Sequence, residues 1–146
     1  PWKVVAVGGT YVREYLTVED NAVFLMGYKK AMGIAEASWS QIGEGVPPRY
    51  TLVLNGSEGV IAAGKELKVY TSEAKNWEEI EPAPLQEGSR NGPEHFATCI
   101  REDKAVDDSV SARYNRDTQA ILEAGIISMR EDRAVYLKEL NIEGWI

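Results

Sequence analysis

A chain of 146 residues with 44% apolar content is the size of one ordinary domain and can build a core. Its formal charge of −7, with 16 basic against 23 acidic residues, argues against nucleic acid as a default partner. Neutralising phosphates needs clustered Lys and Arg, and here the longest basic run is Lys29-Lys30. The single cysteine, Cys99, excludes an intrachain disulfide and a zinc cluster. No apolar run has transmembrane length and no secretory leader pattern is present, so no membrane partner and a reducing, cytoplasmic compartment are expected.

The chain opens abruptly, with Pro1-Trp2 running straight into Lys3-Val4-Val5, which predicts a segment of a larger protein. Residues 3–15 are β-branched and aromatic and predict a long strand interrupted at Gly8-Gly9. Beyond the glycines, alternation places Tyr11, Arg13 and Tyr15 on one face. A glycine pair inside a strand marks a bulge or a close approach by another backbone. Residues 21–28 and 31–41 predict two further strands around Lys29-Lys30. Residues 49–54 predict another, closed by the Asn55-Gly56 turn signal. Residues 60–63 and 67–71 pair across Gly64-Lys65, and residues 76–91, acidic and proline-bearing, predict a loop.

Asn91-Gly92 as cap, Pro93 at the first helical position and Glu94 in the first turn predict a helix start. Phe96, Cys99 and Ile100 make its apolar stripe, with Cys99 a small core residue. A second helix over residues 111–130 puts Thr118, Ile121, Leu122, Gly125, Ile126 and Met129 on one face. A mid-helix glycine costs about 1 kcal/mol relative to Ala, so Gly125 predicts tight packing against a sheet. Residues 134–137 predict a closing strand.

The resulting fold class is α+β: an open-faced, largely antiparallel sheet of about six or more strands with two main helices on one face, in a single domain over residues 1–146. Several strands are apolar on both faces; Ala22, Phe24, Met26 and Tyr28 alternate with Val23 and Leu25. Two helices about 10 Å across cover about 20 Å of sheet, less than six strands at about 4.8 Å spacing. The second apolar face therefore needs a partner, most simply a symmetric copy.

Few residues single themselves out for chemistry. Val4-Val5-Ala6-Val7-Gly8-Gly9-Thr10 lacks the Gly-x-Gly-x-x-Gly opening into a helix that dinucleotide binding requires. His95, the one histidine, sits in the first turn of a helix, where a neutral imidazole is favoured. It is a ligand or base candidate, or a surface or interface histidine. Tyr11, Arg13 and Tyr15 suit polyol or carboxylate recognition, or equally cross-strand packing and a surface ion pair. Trp39 could stack on a sugar ring or fill the core. Asp107-Asp108 reads as a cap of the second helix rather than a cation chelate. No catalytic set and no metal site can be assembled.

Several stretches together resemble the C-terminal domain of the Gfo/Idh/MocA oxidoreductases, relatives of glucose-fructose oxidoreductase and inositol 2-dehydrogenase. They are Glu36-Ala37-Ser38-Trp39-Ser40, Pro47-Pro48-Arg49-Tyr50 and Asn55-Gly56-Ser57-Glu58-Gly59-Val60-Ile61, all within residues 21–64. In the tail they are Glu94-His95-Phe96-Ala97-Thr98-Cys99-Ile100-Arg101, Ala120-Ile121-Leu122-Glu123-Ala124, Ser128 and Arg133-Ala134-Val135-Tyr136-Leu137. The resemblance implies an upstream Rossmann domain that binds NAD or NADP and supplies the catalytic residues, none of which lies in this chain. What it implies for this chain is a substrate wall and an oligomer interface for an enzyme acting on a sugar, polyol or inositol-like small molecule. On that reading Tyr11, Arg13, Trp39 and His95 are the expected substrate contacts, and the chain alone binds no cofactor and is inactive. A non-catalytic, self-associating or protein-binding module is the alternative.

Overall fold

The computed structural model describes residues 1–40 and 50–141, the side chain of Asp108 excepted. The strand ends expected at residues 41 and 49, and Pro47-Pro48-Arg49, lie outside the described residues. The architecture is α+β, with two main helices and antiparallel pairing in every described strand pair. Among the described residues the strands form two sheets of four, where one sheet of six or more was expected. Periodicity identifies strands but not which edges meet, and here nearly every pairing is between neighbours in sequence. The chain divides into two compact units, Pro1–Gln41 with Asn91–Ile146, and Ile42–Arg90.

In the first unit the sheet order is β3-β2-β1-β8. Its strands are β1 (Lys3–Gly9), β2 (Asn21–Gly27), β3 (Met32–Ser38) and the short β8 (Val135–Tyr136). The helix α2 (Ala112–Glu131) lies across one face of this sheet. Val4, Ala124, Val135 and Leu137 form the buried centre, with Phe24, Met26, Ile121, Ile127 and Leu140 packed around it. Burying one such Val or Leu side chain contributes about 1.5–3 kcal/mol.

The buried face of α2 is made of small residues, Ala120, Ala124, Gly125 and Ser128, while Thr118 and Leu122 of the expected face are exposed. Small residues let the helix axis approach the strands closely. Gly125 confirms the expected tight packing, because a Cβ there would run into the Phe24 ring. Gly8 shows the same closeness from the sheet side: an added Cβ would lie 2.6 Å from Met129 Sδ and 2.7 Å from the Asn21 carbonyl oxygen.

Ser128 closes a gap in the ladder. β8 pairs only with Lys3 and Val4 of β1, and where it has ended, Ala6 N–H donates to Ser128 Oγ at 2.9 Å. The same hydroxyl donates to the Arg133 carbonyl at 2.6 Å.

Both helices begin where the sequence indicates. For α1 (Gly92–Glu102) the Asn91 side chain accepts from Glu94 N–H at 2.9 Å, and Pro93 follows at the start of the helix. For α2 the Ser111 hydroxyl accepts from Tyr114 N–H at 3.1 Å. The expected cap from Asp107-Asp108 is thereby corrected, because a 3-10 turn at Asp108–Val110 intervenes. Both helices end on an aspartate in the left-handed region, Asp103 and Asp132. Of the α1 stripe, Cys99 is buried whereas Phe96 and Ile100 are exposed.

The second unit is a meander, β4 (Leu52–Asn55), β5 (Gly59–Ala63), β6 (Leu67–Thr71) and β7 (Trp77–Glu79). The Asn55-Gly56 signal is realised as a turn, with Gly56 N–H donating to the Gly59 carbonyl at 2.8 Å. Gly59 must be glycine, since a Cβ would strike the Tyr70 carbonyl. β7 lies inside the expected loop. Its Trp77 pairs with Tyr70, the rings 5.7 Å apart, which anchors three residues too short to show a period.

Candidate functional site

The expected strand over residues 3–15 stops at Gly9. Residues 10–20 fold into a loop, so Tyr11, Arg13 and Tyr15 do not share a strand face. The reason is Asp20, only 1% exposed. Tyr11 N–H donates to its Oδ1 at 2.9 Å, and Val12 and Arg13 N–H donate to its Oδ2 at 3.0 and 2.8 Å. Asn21 Nδ2 adds a bond to Oδ1 at 2.8 Å, and Ser40 Oγ adds one to Oδ2 at 2.8 Å. These N–H groups would otherwise need a ladder partner. A carboxylate that collects them competes with strand pairing and wins, because charge-assisted bonds are the stronger ones.

Burial pushes the Asp20 carboxyl up. The bonds from the Tyr11 and Arg13 backbone, then from Asn21 and Ser40, outweigh that and hold it far below the usual carboxylate range. Asp20 is thus a carboxylate in the folded protein. Its backbone continues the sheet by one residue: Asp20 N–H donates to the Gly9 carbonyl at 3.1 Å, and Trp39 N–H donates to the Asp20 carbonyl at 2.7 Å. Thr10 Oγ1 donates to the Val18 carbonyl at 2.9 Å and closes the loop internally.

Three of the four expected site residues thus have their backbone tied to Asp20: Tyr11 and Arg13 through its carboxylate, and Trp39 through its carbonyl. Trp39 is 76% exposed, so the core reading of this residue is corrected. Tyr11 and Tyr15 are also exposed, and Arg13 reaches the Tyr15 hydroxyl at 3.4 Å. The Tyr11 ring folds back over Gly9, where an added Cβ would lie 2.9 Å from it. The exposed Tyr11 and Tyr15 rings and the Arg13 guanidinium of this loop are groups that suit hydroxyl-bearing rings. Glu14, Glu19 and Asp20 in the same loop leave it net acidic.

Sequence reasoning missed Asp20. Aspartate side chains usually bond backbone a few residues away, but here the partners lie seven to nine residues upstream.

His95 is placed apart from this group, half-buried in the first turn of α1. Its Nε2 accepts from Asp107 N–H at 3.1 Å. Cys99 Sγ, one helical turn on, lies 3.4 Å from the same nitrogen and 3.5 Å from the Ala105 carbonyl. His95 and Cys99 thereby tie the connector after α1 to the helix.

A recess of about 630 Å³ lies in the second unit, bordered by Lys65, Glu66, Glu79 and Glu81. None of the expected site residues lines it. Among the described residues no helix is long and apolar enough to cross a membrane.

No protein family and no curated protein matches the chain by sequence. Solved structures do match it by fold. An oxidoreductase from Agrobacterium radiobacter, in complex with NAD+, L-tartaric acid and magnesium, superposes with a TM-score of 0.73 at 20% identity, covering 94% of this chain and 44% of that one. The protein yvaA of Bacillus subtilis, assigned as an oxidoreductase, matches with a TM-score of 0.67 at 18% identity over 93% of this chain and 46% of its own. A protein from Klebsiella pneumoniae with the same assignment gives 0.67 at 16% identity, covering 97% and 48%. This chain spans less than half the length of these structures and shares the fold of the part it covers.

Proposed function

We propose that this chain is the substrate-binding and oligomerisation domain of an NAD(P)-dependent oxidoreductase of the Gfo/Idh/MocA type, acting on a sugar, polyol or inositol-like CH–OH or C=O group. The observation that carries the reading is the fold match, which takes up 94% of this chain and 44% of an oxidoreductase bound to NAD+. On this reading cofactor binding and acid–base chemistry fall to an upstream Rossmann domain. The substrate-facing surface is the group of Tyr11, Arg13 and Trp39. His95, the fourth candidate, commits Nε2 to Asp107 and takes a lesser part.

Oligomerisation falls to the face of the first sheet opposite α2. Val5, Val7, Val23, Leu25, Met32 and Ile34 share that face by register. Val7 is 69% exposed and Ile34 67%. The same face supports the second reading, a self-associating module without catalysis.

Hydride transfer separates the two. The whole protein encoded with this segment should oxidise or reduce a member of a sugar, polyol and inositol panel with NAD(H) or NADP(H), while this chain alone should not. Turnover by the chain alone, or none by the whole protein with either cofactor, contradicts the proposal.

A further inference from the structure

Asp20 is the buried charged side chain among the described residues, and nothing in hydride transfer calls for it. A buried carboxylate is unfavourable unless every lone pair is met. Here the bonds come from the loop bearing Tyr11 and Arg13 and from Ser40, next to Trp39. Arg13 N–H and Ser40 Oγ meet on the same oxygen, each at 2.8 Å. One carboxylate thus joins two segments that are 27 positions apart in sequence, as Arg13 and Ser40 are.

We infer that Asp20 is the positioning residue of the substrate surface: it locks the loop of residues 10–20 to the end of β3 and so presents Tyr11, Arg13 and Trp39 together to one hydroxyl-bearing ring. The inference rests on the proposed function, which places those three side chains against the substrate. Its physical content is preorganisation. Exposed side chains on an unpinned loop lose entropy when they bind, whereas a loop already fixed by three backbone bonds to one carboxylate, which Asn21 and Ser40 also hold, has its backbone in place. Ligand selection stays local, since the acidic loop disfavours anionic rings and the guanidinium serves as a fork of donors to hydroxyls.

The test is titration of the chain with myo-inositol and with D-glucose, followed by backbone amide NMR, for the wild type, Asp20→Asn, Arg13→Gln, Trp39→Ala and the double variant Asp20→Asn with Arg13→Gln. Arg13→Gln and Trp39→Ala should each weaken binding of at least one sugar about tenfold. Asp20→Asn should weaken it by a similar factor, and the double variant should be little worse than either single one, because both remove the same presented guanidinium. Amide protection in β1 and α2 should be unchanged throughout.

Wild-type affinity in Asp20→Asn, with the Tyr11, Val12 and Arg13 amides released, overturns the inference, as does a double variant in which the two losses multiply. If Arg13→Gln weakens binding and Asp20→Asn does not, the positioning role alone fails. If neither sugar binds, or Arg13→Gln and Trp39→Ala have no effect, the site falls, and the inference with it. Should Asp20→Asn not fold, Ser40→Ala removes one donor only. It should weaken binding by a smaller factor, and unchanged affinity there also overturns the role.

Discussion

The two sheets share strand number and antiparallel pairing, yet one builds a core and the other does not. In the first, α2 lies on the strands, and Val4, Ala6, Val135 and Leu137 are almost fully shielded. In the second no described residue is buried: Leu52, Val53 and Leu54 are each about half exposed, as are Ile61 and Trp77. Backbone ladders alone therefore hold strands in register without forming a core, and what separates the sheets is a helix with a small-residue face. The first should behave as the stable unit, with slow amide exchange in β1, β2 and α2, and the second should open first.

Several substitutions break or sharpen this contrast. The largest effect is expected at the helix–sheet contact: Gly125→Val drives a branched side chain into Phe24 and should cost about 3 kcal/mol in chemical denaturation. A cost below about 1 kcal/mol would mean the helix does not press on the strands there. Next comes Ser128→Ala, which leaves the buried Ala6 N–H without its acceptor, removes the donor to the Arg133 carbonyl and should cost about 2 kcal/mol.

Acid should act on the first unit through Asp20. Its folded-state pKa is depressed, so its contribution is fully present above the unfolded value of about 3.9 and is lost as pH falls below it towards the folded value. Amide protection at Tyr11, Val12 and Arg13 should hold down to about pH 4 and fade only in stronger acid. In the second unit Glu66 is likewise held low by the hydrogen bond and charge of Lys68, but that pair is exposed and its loss should change stability little. The smallest effect is expected in the β4–β5 turn. A Cβ on Gly56 meets only the Gly59 carbonyl oxygen at an ordinary 3.4 Å, so Gly56→Ala should stabilise by under about 1 kcal/mol.

What could be read from sequence follows the same division between local and distant causes. Asn91, Pro93 and the Asn55-Gly56 turn act over three or four residues, and the structure realises each, whereas the cap of α2 was expected at Asp107-Asp108 and is Ser111. Residues 10–15 misled because their alternation is that of a strand, whereas the group that decides their conformation is Asp20. Trp39 looked like core because it is large and aromatic, but it follows the last residue of β3 and is anchored there by its backbone N–H. On the α2 face Gly125 was legible as a close approach, while Ala120, Ala124 and Ser128, which the approach also needs, were not singled out beside the larger Ile121, Leu122 and Met129. Which strands share a sheet is not carried by any period.

The contrast also defines what each sheet lacks, and for the first sheet we have proposed that a second copy covers the apolar face opposite α2. Sedimentation equilibrium over a concentration series tests this most directly, on the wild type and on Ile34→Lys, which places a charge on that face without touching the α2 side. The account predicts a dimer or larger species for the wild type and a folded monomer for Ile34→Lys. A wild type that stays monomeric at every concentration, or an Ile34→Lys variant that associates as tightly as the wild type, would contradict it.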